Sequence, residues 1–413
     1  MIDLLRRLGV KGWWIAMLVL ASTSTPAQLK IDITSGVTDP IPIAVLPFDA
    51  DPRPSADVVA ADLTRSGRFS AGAANRSDYL VTGRHAVTVD GRHQIDYELT
   101  NLLTGQKLLR ERMVASPSAW RNAAHRIADK IYERIVGARS AFATRIAYVS
   151  VDGRPPAQRY QLIVADADGE NSRVILESKQ PLMSPAWSPD GEWLAYVSFE
   201  TRSAAIYVQR VRTAERRRVS GRAGVNNAPA WSPDGKRLAL TLSSPAGNLD
   251  VYVLEIEGGA LTRVTEHPSI DTEPVWSGDG TRLYFTSDRG GGPQIYRTEP
   301  RSGATATRVS FSGNYNARPR LSPDGKQLAF ITRDGGGYRV AVQDLGNGSV
   351  SVLSKGPQDE SPGYSPDGGT LIYAARERGQ GVLATVSADG LISQRLKADR
   401  GDVRDPAWGP FLP

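Results

Sequence analysis

The chain has 413 residues, 40% of them hydrophobic, and a formal net charge of +6. These values are ordinary for a soluble globular protein, and so weak and diffuse a charge argues against nucleic acid as a partner. The sequence contains no cysteine, which excludes a disulfide framework, thiol chemistry and cysteine-ligated metal.

Residues 1–27 have the pattern of a signal peptide. Arg6, Arg7 and Lys11 form a basic start, and an apolar stretch follows at 13–21. This stretch is shorter than the ~20 residues that a transmembrane helix needs. We therefore expect an exported soluble protein with no direct membrane insertion.

Residues 28–142 predict a small α/β domain that begins with a flexible N-terminal segment. A helix is expected at 55–63 and strands at 78–82, 85–89 and 94–99. A second helix is expected to begin at an N-cap, Ser118, and to stop at Gly137. Strands covered by helices make a layered α/β domain.

From residue 145 onward, one short phrase occurs six times. In its fullest form it runs from Pro185 to Gly191, and successive copies are 43 to 45 residues apart. The copies begin at Pro185, Pro229, Pro274, Pro319, Pro362 and Pro406. A period of about 40–45 residues made of short strands is typical of β-propeller blades.

The proline of each copy indicates where its strand lies. Proline cannot donate to a strand ladder, so it is tolerated on an edge, and the innermost strand of a blade has a free edge at the channel. The last copy, at Pro406, has no strands after it, whereas the strands at 145–150 and 160–166 have no first strand before them. If the C-terminal strand completes the first blade, residues 145–413 form a closed six-bladed propeller. The predicted fold class is thus mixed: a small α/β domain, then an all-β propeller.

Polar and charged residues precede each innermost strand and should surround one mouth of the channel. They lie at 226–228, 271–273, 316–318, 359–361 and 404–405. Polar groups that converge on a concavity suit a binding site. A merely solvated rim is the alternative.

Signals for catalysis, metals and cofactors are weak. The four histidines, His85, His93, His125 and His267, lack metal-ligand spacing, and no Gly-x-Ser-x-Gly motif occurs. We therefore predict no catalytic residue, no metal and no cofactor. The alternative function is an exported hydrolase or lyase acting on glycans or peptides. Its paired carboxylates would have to come from the channel acids, which are Asp271, Glu273, Asp359 and Glu360.

The order of export signal, small domain and six repeats resembles the TolB family, periplasmic proteins of the Tol-Pal system of Gram-negative bacteria. Beside the repeats, the residues that carry the resemblance are 41–48, 60–63, 66–69, 78–83 and 144–149. It covers nearly all of the mature chain. It implies a monomeric, non-enzymatic periplasmic adaptor that supports outer-membrane integrity and constriction during cell division.

The resemblance also implies the partners. The family binds the peptidoglycan-associated lipoprotein at the propeller mouth, and its contacts correspond to Val225, Ala228 and Thr272. Further contacts are expected from residues ahead of the innermost strands, namely Asn226, Asp271, Glu273, Asn316, Arg318, Glu360 and Arg404. TolA, an inner-membrane protein, engages the mature N-terminal segment, here through Gln28, Leu29, Ile31 and Ile33. Colicins are a further expected partner.

Two departures from the family pattern stand out. Residues 70–77 form a shorter stretch than the family usually has, so a helix of the small domain is expected to be missing there. Val225 is apolar where the family can carry a polar residue, which is expected to alter the affinity for the lipoprotein.

Overall fold

The computed structural model describes residues 40–398 and 401–412, together with the backbone of residues 31–33. The predicted signal peptide, Gln28 and Leu29 lie outside these residues. All described residues belong to one unit that begins at Ile31.

The N-terminal part of the chain forms a five-stranded sheet that packs against two helices. In chain order, the elements of this part are β1 (Ile31–Ile33), which is not in this sheet, β2 (Ile41–Val45), α1 (Ser55–Arg65), β3 (Phe69–Ala71), a 3₁₀ turn (Ala74–Arg76), β4 (Tyr79–Val87), β5 (His93–Asn101), β6 (Lys107–Ala115) and α2 (Trp120–Val136). The sheet order is β3-β2-β4-β5-β6, with β2 parallel to β3 and β4 and the other pairs antiparallel. Leu63 of α1, Ile95 of β5 and Ile127 of α2 are fully buried in the shared core.

This domain differs from the prediction in its strands. The strands expected at 78–82 and 85–89 are one strand, β4, because the residues between them continue the pairing with β5. β6 was not predicted, since Arg110 and Arg112 on its exposed face interrupt the apolar pattern. Residues 70–77 contain no α-helix, only the end of β3 and the 3₁₀ turn.

The second helix also begins differently. α2 starts after Ala119, without a side-chain hydrogen bond at its N-terminus, so Ser118 is not the N-cap. Gly137 ends the helix as predicted, in the left-handed conformation with φ of 78°. Glycine adopts this conformation without the steric cost of a Cβ atom.

The remaining strands form six antiparallel blades of four strands. Blade 1 begins with β7 (Arg145–Asp152), β8 (Arg159–Asp166) and β9 (Arg173–Ser178); blade 2 has β10 (Leu182–Trp187), β11 (Trp193–Ser198), β12 (Ala205–Arg210) and β13 (Arg216–Ser220); blade 3 has β14 (Asn226–Trp231), β15 (Arg237–Ser243), β16 (Leu249–Glu255) and β17 (Leu261–Arg263). Blade 4 has β18 (Asp271–Trp276), β19 (Leu283–Ser287), β20 (Gln294–Thr298) and β21 (Thr307–Arg308); blade 5 has β22 (Asn316–Leu321), β23 (Gln327–Asp334), β24 (Gly337–Asp344) and β25 (Val350–Val352); blade 6 has β26 (Glu360–Tyr364), β27 (Thr370–Glu377), β28 (Gln380–Ser387) and β29 (Ile392–Arg395). The predicted fold, a small α/β region followed by a six-bladed propeller, is confirmed.

The last strand, β30 (Asp402–Trp408), closes the ring. It pairs antiparallel with β7, so that Trp408 lies opposite Ile146. Blade 1 therefore has the order β30-β7-β8-β9. The first strands of neighbouring blades contact one another around the channel, which makes them the innermost strands.

The turn of the repeated phrase owes its shape to a serine and an aspartate. The Ser188 hydroxyl accepts a hydrogen bond from the backbone N–H of Trp193 at 2.9 Å and donates to Asp190 Oδ1 at 2.5 Å. The Asp190 carboxylate also accepts from the N–H of Glu192 at 2.9 Å. The same bonds recur at Ser232, Ser277, Ser322 and Ser365.

The tryptophans of the phrase join neighbouring blades. The indole Nε1 of Trp231 donates to the carbonyl oxygen of Ala186 in blade 2 at 3.2 Å. Equivalent bonds run from Trp187 to Ala407 and from Trp276 to Ala230. Each of these three indoles therefore satisfies a carbonyl group of the preceding blade, whereas Trp408 Nε1 donates to the Thr144 hydroxyl at 2.8 Å.

The N-terminal segment adds a strand to blade 6. β1 pairs antiparallel with β29, residues 31–33 lying opposite residues 392–394. The segment was expected to be flexible, and the structure places this part of it on the outer edge of the propeller. β29 also contacts α1, since Gln394 Nε2 donates to the carbonyl oxygen of Arg65 at 2.6 Å.

Candidate partner-binding mouth of the channel

The loops that precede the innermost strands lie at one end of the channel, which we call the mouth. Buried polar side chains hold these loops in place. Asn226 Nδ2 donates to the carbonyl oxygen of Arg222 at 2.8 Å, and the Asp271 carboxylate accepts two bonds from Arg289 at 2.9 and 2.7 Å. Asn316 donates to a carbonyl group of its own loop at 2.7 Å.

This arrangement corrects three predicted contact residues. Asn226, Asp271 and Asn316 are 0% exposed, so their side chains do not reach the surface of the mouth. The sequence predicted them at the surface because polar residues that precede a strand are usually exposed to solvent. Their hydrogen bonds show that they shape the loops from below.

The other predicted contacts are accessible. Val225, Glu360 and Arg404 are exposed, whereas Ala228, Thr272, Glu273 and Arg318 are partly exposed. Arg404 is paired with Asp402, its Nη2 lying 2.7 Å from Oδ2. The mouth therefore offers a mixed surface of apolar and charged groups.

Sequence reasoning missed most of the apolar part of this surface. Val225, Ile270 and Phe311 precede the innermost strands of blades 3, 4 and 5, and Tyr338 is the second residue of β24 in blade 5. They are 36%, 46%, 72% and 37% exposed, respectively. We call these four residues the apolar arc. Each of the first three lies one to five positions ahead of the polar residue that starts an innermost strand, so the spacing in the sequence could have identified them.

Deeper in the channel, each innermost strand has a bulge at the residue before its proline. These six residues have a positive φ, between 47° and 57°. They are Ser184, Ala228, Glu273, Arg318, Ser361 and Asp405, which we call the bulge ring. All six line one cavity of about 60 Å³. A bulge re-aims a side chain, and here it directs one side chain per blade at the channel.

Arg318 ties the bulge ring together. Its Nε lies 3.1 Å from Glu273 Oε1, and its Nη1 lies 2.9 Å from Asp405 Oδ1. The Ser361 hydroxyl also donates to Asp405 Oδ1, at 2.7 Å. Burial opposes ionisation of Asp405, but the charge of Arg318 outweighs it and holds the pKa of this carboxyl below its ordinary value.

The four channel acids are not arranged for acid–base catalysis. Asp271 is paired with Arg289 and Glu273 with Arg318. Asp359 is buried and accepts a hydrogen bond from the backbone N–H of Gly356 at 3.0 Å, and burial raises its pKa. Three of the four carboxylates are thus committed to structural bonds.

Two of the histidines form a buried chain in the small domain. His85 Nδ1 lies 2.6 Å from Asp51 Oδ1 and 2.8 Å from the Ser55 hydroxyl, and His85 Nε2 lies 2.7 Å from His93 Nδ1. A Ser-His-Asp triad needs the serine and the carboxylate on opposite ring nitrogens, whereas here they share one. The pKa of His93 is lowered by burial and by the neighbouring His85. These contacts agree with the structural role predicted for both.

His125 belongs to a group of charges between the small domain and blade 1, which we call the interdomain ion cluster. It consists of Asp62, Arg65, Arg121, His125, Asp166 and Asp168. His125 Nδ1 lies 2.5 Å from Asp62 Oδ2, and Arg65 Nη1 lies 3.0 Å from Asp62 Oδ1. Arg121 bonds directly to Asp168.

The interdomain ion cluster contains carboxylates and an imidazole within metal-binding distance of one another. However, guanidinium groups already pair with these oxygens, and their charge would repel a cation. Three carboxylates face two guanidiniums, so a protonated imidazole balances the charge. Burial opposes this protonation, but Asp62 and Asp166 outweigh it and raise the pKa of His125 to about 10.

Comparisons with known proteins agree on one family. A model described as the TolB beta propeller domain matches residues 132–412, and one described as the TolB amino-terminal domain matches residues 29–77. The Tol-Pal system protein TolB of Methylococcus capsulatus is 53% identical, with 97% of this chain and 99% of the relative covered. That of Xylella fastidiosa is 46% identical, with coverage of 96% and 98%. The crystal structure of TolB from Acinetobacter baumannii superposes with a TM-score of 0.86 at 39% identity, covering 93% of this chain and 100% of that one.

Proposed function

The chain belongs to the TolB family, and on this premise we propose that it is a periplasmic adaptor of the Tol-Pal system. The mouth binds the peptidoglycan-associated lipoprotein, and the N-terminal segment binds TolA. Through these contacts the protein supports outer-membrane integrity and constriction during cell division, and colicins can exploit them. Family membership makes it a non-catalytic protein, so the hydrolase or lyase alternative is not retained.

The apolar arc is the observation that carries the lipoprotein site. Exposed apolar side chains grouped on one surface and bordered by polar groups are typical of protein contact sites. Here Val225, Ile270 and Phe311 lie in the loops that lead into three consecutive blades, and Tyr338 lies in the third of these blades. Phe311 is near the outermost strand of blade 4, where Arg308 stacks on its ring, and the charged Glu360 and Arg404 lie at the starts of two further innermost strands. The loops beneath are already held by Asn226, Asp271 and Asn316, so little ordering is needed on binding.

The apolar arc also suggests how Val225 affects the affinity for the lipoprotein. A valine at this position continues the apolar surface toward blade 3, whereas a polar residue would end it at Ile270. We therefore expect valine to favour a partner that presents an apolar side chain there.

The N-terminal segment supports a second, separate contact. Its residues 31–33 pair with β29 at the outer edge of blade 6, away from the innermost strands that form the mouth. Strand pairing at an edge is reversible, and the same backbone groups can pair with a strand of another protein. Release from β29 would then precede binding to TolA through Gln28, Leu29, Ile31 and Ile33, and docking on β29 would lower the apparent affinity.

Periplasmic localisation rests on the signal-peptide pattern at 1–27 and on the family. Among the described residues, no helix is long and apolar enough to cross a membrane. A monomer with two separate protein contacts is consistent with the role of an adaptor.

The test is a binding titration with the purified periplasmic part of the lipoprotein. Thr272→Arg and Ala228→Arg place a bulky charge at the mouth and are expected to weaken binding at least tenfold. Thr262→Arg, on the exposed outer strand β17, is the matched control and should bind like wild type. Wild-type affinity of both mouth variants would show that the lipoprotein binds elsewhere.

A second titration tests the division between the two contacts. Deletion of residues 28–37 is expected to abolish TolA binding and to leave the affinity for the lipoprotein unchanged. If the deletion also abolishes lipoprotein binding, the two contacts are not separate.

A further inference from the structure

The cavity inside the bulge ring has a charge arrangement that partner binding at the mouth does not explain. It is lined by all six innermost strands and has a volume of about 60 Å³. Four charged side chains line it, the acids Glu273 and Asp405 and the bases Arg318 and Arg320. Only a charged group that is not already paired within the protein is free to bind a ligand.

Neither carboxylate is free. Glu273 Oε1 is paired with Arg318 Nε at 3.1 Å, and Glu273 Oε2 accepts from the Arg318 N–H and the Thr286 hydroxyl, both at 2.9 Å. Asp405 Oδ2 accepts from the N–H of Ser184 at 3.1 Å, and Asp405 Oδ1 is held by Arg318 and the Ser361 hydroxyl. The two acids are therefore neutralised and satisfied within the protein.

Arg320 differs from the other three charged groups. Its Nη1 donates to the carbonyl oxygen of Pro319 at 2.8 Å, and no carboxylate of the described residues lies within ion-pair distance of it. Its Nε and Nη2 have no protein partner in the part of the chain that the structure describes. Burial and the charge of Arg318 lower the pKa of Arg320, yet an arginine remains protonated in proteins.

A second donor faces the same cavity. Asn227 uses its Oδ1 to accept from the N–H of Ala228 at 2.7 Å and from the Ser184 hydroxyl at 3.5 Å. Its Nδ2 has no partner among the described residues, so both N–H bonds of the amide remain available. Arg320 and Asn227 thus each leave N–H donors without a partner in this cavity.

We propose that Arg320 binds a small oxyanion inside the channel, with Asn227 as a second donor. A planar guanidinium can bond both oxygens of a carboxylate or phosphate, and the cavity volume suits a group of this size. The oxyanion can be the carboxylate of an acidic side chain inserted through the mouth, or a free phosphate ion. The first source rests on the proposed function, because it requires a partner at the mouth, whereas the second does not.

The experiment uses the mature full-length protein with selective ¹⁵N labelling of arginine. Sodium phosphate and a short blocked peptide with one central glutamate are titrated separately, and the Nε–H resonance of Arg320 is followed. The matching peptide with glutamine is the control ligand. Saturable movement of this resonance with either anion, and none with the glutamine peptide, is the expected result.

Variants assign the effect to Arg320. Arg320→Gln keeps hydrogen-bond donors but removes the charge, and it should weaken anion binding at least tenfold. Arg217→Gln removes an exposed charge on β13 and should leave anion binding unchanged. Because Arg320→Gln could impair folding, the wild-type titration stands as an independent measurement.

The outcomes separate the sources and decide the proposal. Binding of the glutamate peptide alone identifies an inserted side chain, and binding of phosphate identifies a free-ion site. No saturable shift with either anion, or equal binding by a folded Arg320→Gln variant, overturns the proposal. The lipoprotein is absent from this experiment, so its result is independent of the Thr272→Arg titration.

Discussion

At the contact between the small domain and blade 1, the imidazole of His125 lies between two carboxylates. Asp62 Oδ2 is 2.5 Å from its Nδ1, and Asp166 Oδ2 is 3.7 Å from its Nε2. Both the imidazole and the Asp62 carboxylate are buried, so neither charge can be stabilised by water in place of the other. The interaction therefore links the stability of the domain contact to the protonation of one residue.

The raised pKa of His125 predicts a loss of stability in alkaline solution. A group whose pKa is higher in the folded state than in the unfolded state stabilises the fold fully at a pH below its unfolded pKa. For His125 the unfolded pKa is near 6.5, and the stabilisation is lost as the pH rises through about 10. Urea unfolding between pH ~7 and ~10 should show the decline. His125→Gln should be less stable at neutral pH by about 1–3 kcal/mol, because Asp62 loses one of its two charged partners and keeps only Arg65.

The variant provides the control for this prediction. His125→Gln cannot titrate, so its stability should vary less with pH than that of wild type over the same range. Parallel pH profiles for the two proteins would show that His125 is not the titrating group.

At the scale of the blade, the indole bonds connect elements that share no strand pairing. Trp231 in blade 3 reaches the Ala186 carbonyl in blade 2, and this carbonyl lies on an innermost strand where a bulge has already interrupted the ladder. An unpaired buried carbonyl is costly. The indole therefore supplies the Ala186 carbonyl with a donor from the next blade.

Trp231→Phe tests the value of one such bond. The variant keeps an aromatic ring but leaves the Ala186 carbonyl without its donor, which should reduce the free energy of unfolding by about 1–3 kcal/mol. Trp193→Phe is the matched control, since the Trp193 indole donates no hydrogen bond to the described residues and stacks with Arg210. Equal losses of stability in urea unfolding for both variants would mean that the indole bond contributes nothing beyond packing.

The repeated phrase predicted the blades well because each of its residues acts locally. Proline marks an edge strand, and the serine, aspartate and glycine bond within a single turn, so their roles can be read from spacing. The positive φ of residues such as Ala228 and Glu273 could not be read in this way, since a residue before proline ordinarily prefers an extended conformation.

The sequence predicted where the candidate site lies, but not which of its residues are exposed. The mouth follows from the order of strands, but the burial of Asn226, Asp271 and Asn316 depends on partners such as Arg289, which lies 18 residues from Asp271. The pairing of His125 with Asp62 and of Arg318 with Asp405 depends on the folded ring and joins residues far apart in the chain. No local pattern encodes such contacts.

At the scale of the whole molecule, the ring depends on its C-terminal strand. β30 supplies the innermost strand of blade 1, the carbonyl that Trp187 bonds, and Asp405 of the bulge ring. In the absence of cysteine, no covalent bond can replace these contacts. We therefore expect the propeller to unfold as a single cooperative structure rather than as six independent blades.

Removal of residues 402–413 is expected to abolish cooperative unfolding. The deletion exposes the edge of β7 and leaves Arg318 with one acid fewer, and an exposed edge strand promotes aggregation. Deletion of residues 411–413 leaves β30 in place and serves as the control. Size-exclusion chromatography and thermal unfolding should show an aggregated or broadly melting protein for the long deletion alone. A monomeric long deletion with a sharp transition near that of wild type would contradict this account.

The pairing of β30 with β7 has a consequence for how the protein is made. Asp402 pairs with Val151, so the partners are separated by about 250 residues of chain. A polypeptide that is synthesised from its N-terminus presents β7 long before β30. During that interval the first blade lacks its innermost strand, and the unpaired edge of β7 is open to association with other chains.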